Sequence, residues 1–195
     1  MNDIHFYIVD TETNGLNVRM HEIFQLSIIR CDDRMQLSRE IMIDKPELSS
    51  YDALRITGKT LDDLKRGITK LQLINELDEF LKEDGAQSTH RCMVAHNANF
   101  DRNFLCEMWG RYNRKFPFDL YLDTIHMYRA FEKARGQSKV KANLTAACEA
   151  TGIKKLGDAH NAKTDTRHTF LLWQELSKTV DFLDHIKHIP HNLEL

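Results

Sequence analysis

The chain has few cysteines and none in pairs: Cys31, Cys92, Cys106 and Cys148 are scattered, with no CxxC and no cysteine and histidine cluster at zinc spacing. That excludes a disulfide scaffold and fits reduced thiols in a cytoplasm; Cys92 and Cys148 fall within apolar patterns and are expected in the core. The three prolines are dispersed, and no proline-rich linker, internal repeat or low-complexity tract divides the chain. No run approaches the roughly 20 apolar residues of a membrane span, and Met1-Asn2-Asp3 is not a basic leader, so a cytoplasmic location is expected. Positive charge is not in excess either. With 27 Lys and Arg against 29 Asp and Glu the net charge is −2, unlike a protein that coats nucleic acid.

What is present suits one globular domain with a sizeable core: 195 residues, 42% hydrophobic and 29% charged. Strand signals run from Ile4 to Asp10, Ile23 to Cys31 and Met35 to Ile43, separated by the turn-like Asn14-Gly15 and Asp32-Asp33. A helical run follows from about Lys70 to Glu83, with Leu73, Ile74, Leu77, Phe80 and Leu81 on one face, then a strand from Arg91 to Ala95 and a helix carrying Phe104, Leu105, Met108, Trp109 and Tyr112. Three strands followed by alternating helix and strand predict a mixed sheet flanked by helices. Residues 1–178 are expected to form the domain and 179–195 a C-terminal helix and tail. His185, His188 and His191 recur there at three-residue spacing, a pattern read as a solvated face rather than a metal site.

Acidic residues interrupt this pattern at three places. Asp10 and Glu12 interrupt the first apolar run where it ends, and at positions i and i+2 of a strand they share a face. Two carboxylates side by side call for a cation between them, or else they are a solvated turn that caps the next segment; the pair alone leaves both open. Asp101 falls in the first turn of an amphipathic helix, where the helix dipole by itself accounts for an acid. His160 precedes Asp165 by five positions, close enough to serve one site.

Together, Asp-x-Glu, Asn-x-x-Phe-Asp and His-x-x-x-x-Asp resemble in order the three motifs of the DEDDh exonucleases, with the proofreading epsilon-subunit and ribonuclease T branches nearest. All five positions are filled, by Asp10, Glu12, Asp101, His160 and Asp165. The likeness runs from about residue 4 to about residue 176 and takes in Leu54-Arg55-Ile56-Thr57-Gly58, Asp123-Thr124 and Asn143-Leu144 through Cys148. It implies an α/β, ribonuclease H-like fold with a mixed five-stranded sheet flanked by helices. It also implies a metal-dependent 3′–5′ exonuclease that removes nucleoside monophosphates from DNA or RNA, with single-stranded ends preferred.

On that resemblance Asp10, Glu12, Asp101 and Asp165 ligate two Mg2+ or Mn2+ ions, for which carboxylate oxygens are suited, and His160 is the base that deprotonates the attacking water. Thr11, Thr13, Leu16, Ile56, His96, Asn97 and Phe100 match positions where relatives contact the terminal nucleotides. Between Arg129 and Lys155 seven bases (Arg129, Lys133, Arg135, Lys139, Lys141, Lys154, Lys155) stand against two acids (Glu132, Glu149). Lys139 and Lys141 are therefore candidates to track a phosphate backbone, or else belong to a solvated face. The expected partners are DNA or RNA 3′ ends, with a polymerase or a second copy of the chain as the protein partner and no membrane. The alternative is a nucleic-acid-binding or polymerase accessory subunit that has kept the fold and lost turnover.

Overall fold

The computed structural model describes residues 4–157 and 160–190. Asp158 and Ala159, just before His160, and His191 in the terminal histidine series lie outside the described residues. The central element is β1 (His5–Thr13), an alternation of apolar side chains that serves both faces of the sheet. Tyr7 and Val9 join the core on one side and Ile8 the core on the other. β2 (Ile23–Arg30) pairs antiparallel with β1, and β3 (Gln36–Glu40) pairs antiparallel with β2. On the other edge of β1, β4 (Arg91–Ala95) and β5 (Leu120–Asp123) run parallel to it.

Six strands and six α-helices are present among the described residues, the strands in the order β3-β2-β1-β4-β5-β6. The expected five-stranded sheet thus gains a member. β6 (Lys187–His188) pairs antiparallel with β5, and it lies where a C-terminal helix was anticipated. The segment before it is a short 3-10 turn over Phe182–His185. The reason is packing: Phe182 docks on Phe6 and Trp173, and buried Ile189 donates its backbone N–H to Asp119 O, so the chain is drawn along the sheet edge.

α2 (Lys70–Lys82) and α3 (Ala98–Arg111) cover one face, where Leu73, Ile74, Leu77, Phe104, Leu105 and Trp109 meet Tyr7, Val9 and Met93. The apolar spacing of α2 predicts its extent well, and its start is locally encoded, with Thr69 and Gln72 forming a reciprocal capping box. α4 (Thr124–Ala134), α5 (Leu144–Ala150) and α6 (Ala162–Leu176) belong to the other face. There Met127, Cys148, Leu172 and Leu176 meet Ile8, Cys92 and Val94. Cys92 and Cys148 are buried, and all four cysteines are free. α1 (Tyr51–Thr57) stands outside these layers, with no buried residue. No helix among the described residues is long and apolar enough to cross a membrane.

Candidate active site at the end of the parallel strands

β1 outruns its parallel neighbour. Its pairing with β4 stops at Ile8 and Val94, while its pairing with β2 continues through Glu12 and Gln25 to Thr13 and Ile23. Asp10 and Glu12 therefore lie within a strand rather than beyond its end, on a stretch whose β4-side edge is open. A register shift between Glu12 and Thr13, where β2 contributes an extra residue, marks the place where the ladder leaves regular geometry.

Asp101 closes that edge. Its Oδ1 accepts from both the backbone N–H of Thr11 at 2.9 Å and the Thr11 hydroxyl at 2.8 Å, so an unpaired strand donor fixes a carboxylate from α3. The turn that delivers α3 is built to the same end. Asn97 adopts the left-handed conformation at φ 75°, and Asp123 at the end of β5 accepts from the backbone N–H groups of Asn97 and Ala98 at 3.1 Å each. Asp123 also caps α4 through Ile125 N. The family-like stretch Asp123-Thr124 marked this position in the sequence, but its role as a brace depends on the parallel pairing of β4 with β5.

Asp165 enters from the opposite layer, in the first turn of α6. Asn161 caps that helix, and Gln25 Oε1 on β2 accepts from Ala162 N at 3.0 Å, pinning the helix start to the sheet. His160 N–H donates to Asp165 Oδ2 at 2.9 Å from a left-handed backbone at φ 61°. For a residue other than glycine that conformation costs energy and is concentrated at functional sites. Among the described residues the ligand atoms of Glu12, His160 and Asp165 all lie within 4.8 Å of one another.

The electrostatics match this geometry. Burial, then Asp101, Glu12 and Asp165, hold the Asp10 carboxyl well above the usual carboxylate range. Burial with Asp165 and Asp101 pushes Glu12 up to about 8. Burial pushes Asp101 up to about 7 against the two Thr11 hydrogen bonds. Asp165 is raised by burial, with His160 N–H opposing. Four carboxylates that resist joint ionisation form a donor set of hard oxygens suited to divalent cations.

Beside Glu12 lies a depression of about 430 Å³ whose walls include Thr11, Thr13, Leu16, Ile56 and Phe100. Leu16 is 84% and Ile56 47% exposed, apolar groups facing open space. Gly15 and His21 also line it, and a Cβ at Gly15 would sit 2.4 Å from the His21 ring, so that ring would have to move. Asn97 and His96 do not line this depression. His96 has both ring nitrogens engaged within the protein, Nδ1 with Thr124 Oγ1 and Nε2 with Ala142 O, each at 2.9 Å. His96 thereby ties the 135–143 loop to the start of α4. Lys139 lines a wider basic depression of about 710 Å³ with Arg129 and Lys133, and Lys141 does not share it.

The family model for exonucleases matches residues 7–172. Ribonuclease T of Escherichia coli K12 is 26% identical over 184 residues, 87% of this chain and 82% of that protein. The PolC-type DNA polymerase III of Mycoplasmopsis pulmonis is 29% identical over 147 residues, 71% of this chain and 10% of that protein, so the chain spans about a tenth of its length. Among solved structures, the nuclease domain of 3′hExo, a DEDDh family member bound to rAMP, superposes with a TM-score of 0.72 at 17% identity over 96% of each chain. Escherichia coli exonuclease I in complex with a dT13 oligonucleotide gives 0.74 at 18% identity, over 91% of this chain and 41% of that one. With a matching family model across most of the chain and the acids of all three motifs gathered along the open stretch of β1, this protein belongs to the exonuclease family.

Proposed function

We propose that the chain hydrolyses single-stranded 3′ ends of DNA or RNA to nucleoside monophosphates, with Asp10, Glu12, Asp101 and Asp165 holding two Mg2+ or Mn2+ ions. The observation that carries this reading is the convergence of acids from three segments on β1, with Asp101 held by Thr11 between Asp10 and Glu12, and Asp165 and His160 within 4.8 Å of Glu12. Such a pair of ions, when bound, supplies Lewis acidity at the phosphate and makes a bound water easier to deprotonate.

Asp10, which feels the charges of Asp101, Glu12 and Asp165, would hold the ions together with them, and Thr11 fixes one oxygen of Asp101 so that the second would be available to a cation. His160, exposed and beside Glu12 and Asp165, takes the proton of the attacking water and passes it to solvent. The depression beside Glu12 receives the terminal nucleotide. Its apolar rim at Leu16, Ile56 and Phe100 offers sequence-tolerant stacking surface. The basic depression at Arg129, Lys133 and Lys139, on the loop fastened by His96, draws in the upstream phosphates.

The test is release of monophosphates from 5′-labelled single-stranded DNA, single-stranded RNA and mismatched duplex DNA, with Mg2+, Mn2+ or EDTA. Metal-dependent release that is lost in Asp10→Ala and Asp165→Ala supports the proposal. Metal binding without release from any substrate would overturn it in favour of an accessory nucleic-acid-binding subunit.

A further inference from the structure

Asp165 is approached from two sides. His160 N–H donates to Oδ2 at 2.9 Å, and one turn further along α6 the His168 imidazole places Nδ1 3.8 Å from Oδ1. The latter is a polar contact too long for a hydrogen bond. His168 is only 7% exposed, and its Nε2 accepts from the backbone N–H of Leu156 at 3.0 Å. A neutral ring that accepts at Nε2 carries its proton on Nδ1, the nitrogen that faces the carboxylate.

The surroundings give no apolar reason for an imidazole here. The pocket of about 70 Å³ that His168 and Asp165 share is lined by Leu144, Cys148 and Ile153 together with Thr145, Glu149 and Lys155, and a polar ring buried to this extent is costly unless its nitrogens are used. Nε2 is used on Leu156 N–H, and Nδ1 faces Asp165 at 3.8 Å, close enough for electrostatic attraction; the two partners are functionally different. Leu156 belongs to the segment that leads into His160, whereas Asp165 belongs to the helix that follows it.

We propose that His168 is a positioning residue: a single ring ties the 153–157 segment to α6 and presents a fixed donor to Asp165, setting the orientation of a metal ligand together with the approach of His160. The inference rests on the reading of Asp165 as a ligand and His160 as the base. It involves no change of protonation at His168.

The two nitrogens can be separated by substitution. In His168→Gln the side-chain carbonyl reaches the Nε2 position and keeps an acceptor for Leu156 N–H, but the donor facing Asp165 is gone. In His168→Asn an amide N–H stands near the Nδ1 position, and the acceptor for Leu156 is gone. Mn2+ binding is followed by the electron paramagnetic resonance of free Mn2+, and kcat and KM are measured on a single-stranded oligonucleotide. His168→Gln is expected to weaken Mn2+ binding about 10-fold or more, within the range of about 10–100-fold for groups that orient ligands, with KM unchanged. His168→Asn is expected to keep Mn2+ affinity within about threefold and to lose kcat as the His160 segment loosens. Wild-type Mn2+ affinity in His168→Gln, or equal losses of affinity in both variants, would overturn the inference. An Asp165→Asn control separates the two levels. If it loses Mn2+ while His168→Gln behaves as wild type, the inference alone fails; if Asp165→Asn keeps both Mn2+ binding and turnover, the ligand reading fails and the inference with it.

Discussion

Thr11 carries more of the site than its size suggests. It is 6% exposed, and its backbone and side chain both donate to one oxygen of Asp101. Thr11→Val keeps the shape and the backbone donor but removes the hydroxyl, so one buried hydrogen bond is lost, at about 0.5–1.5 kcal/mol. Urea unfolding is expected to show that loss, and steady-state assays a fall in kcat larger than any change in KM, because the group held in place is a carboxylate of the site rather than a substrate contact. His160→Ala is expected to lower kcat by about 10²–10⁴-fold, the usual worth of a general base, with Mn2+ affinity largely kept. A variant that retained full turnover would remove His160 from that role. The five motif residues were legible through their resemblance, in order, to the three motifs of a known family; taken singly, the local patterns left each of them open. Thr11 was legible only as a neighbour of the acids. That it donates twice to Asp101, 90 positions away, is decided by where β4 stops.

At the scale of elements, the site is a join between the two layers on either side of β1. α3 brings Asp101 from one layer and α6 brings Asp165 from the other, each helix start being anchored to the sheet by a side chain: Asp123 for α3 and Gln25 for α6. Gln25→Leu leaves the Ala162 N–H buried and unpaired, a penalty of about 1–3 kcal/mol. It is expected to lower Tm and to reduce kcat, because α6 can then shift relative to β1. A crystal structure of the variant with α6 unmoved and kcat unchanged would contradict this. The long elements followed from periodicity, and the capping box at Thr69 and Gln72 starts α2 where the pattern said it would. The C-terminal segment did not follow, since the preference of two residues for a strand is settled by the free edge of β5 and by the aromatic seat for Phe182, neither visible locally.

At the scale of the whole molecule, concentrating four acids at one strand end makes the metal-free fold sensitive to pH. Glu12 at about 8 and Asp101 at about 7, with Asp10 and Asp165 also raised, compare with about 3.9–4.3 for the same groups in an unfolded chain. The folded state therefore binds more protons than the unfolded state between about pH 4 and pH 8, and stability falls as pH rises through that window. In EDTA, Tm is expected to drop from about pH 5 to about pH 8 after the contribution of the other groups is removed with an Asp101→Asn reference, which flattens the profile. Mn2+ reverses the drop at the alkaline end, where the acids are ionised, by about 2.7 kcal/mol at a hundredfold excess over Kd. A Tm that is independent of Mn2+ at pH 8 would contradict the cation reading.

The sequence by itself determined the α/β class, the alternation that lets β1 serve two cores and the extent of the strongly periodic helices, because each is written in spacings of a few residues, and it singled out the five motif residues by their resemblance, in order, to a known family. The tertiary structure alone decided that the motifs meet, that His96 ties down a loop 46 positions away, that His168 lies near Asp165, and that a sixth strand joins the sheet. Those outcomes depend on which strand ends first, which edge is left open and which buried donor needs an acceptor. They are pairings between segments far apart along the chain, and no local pattern carries them.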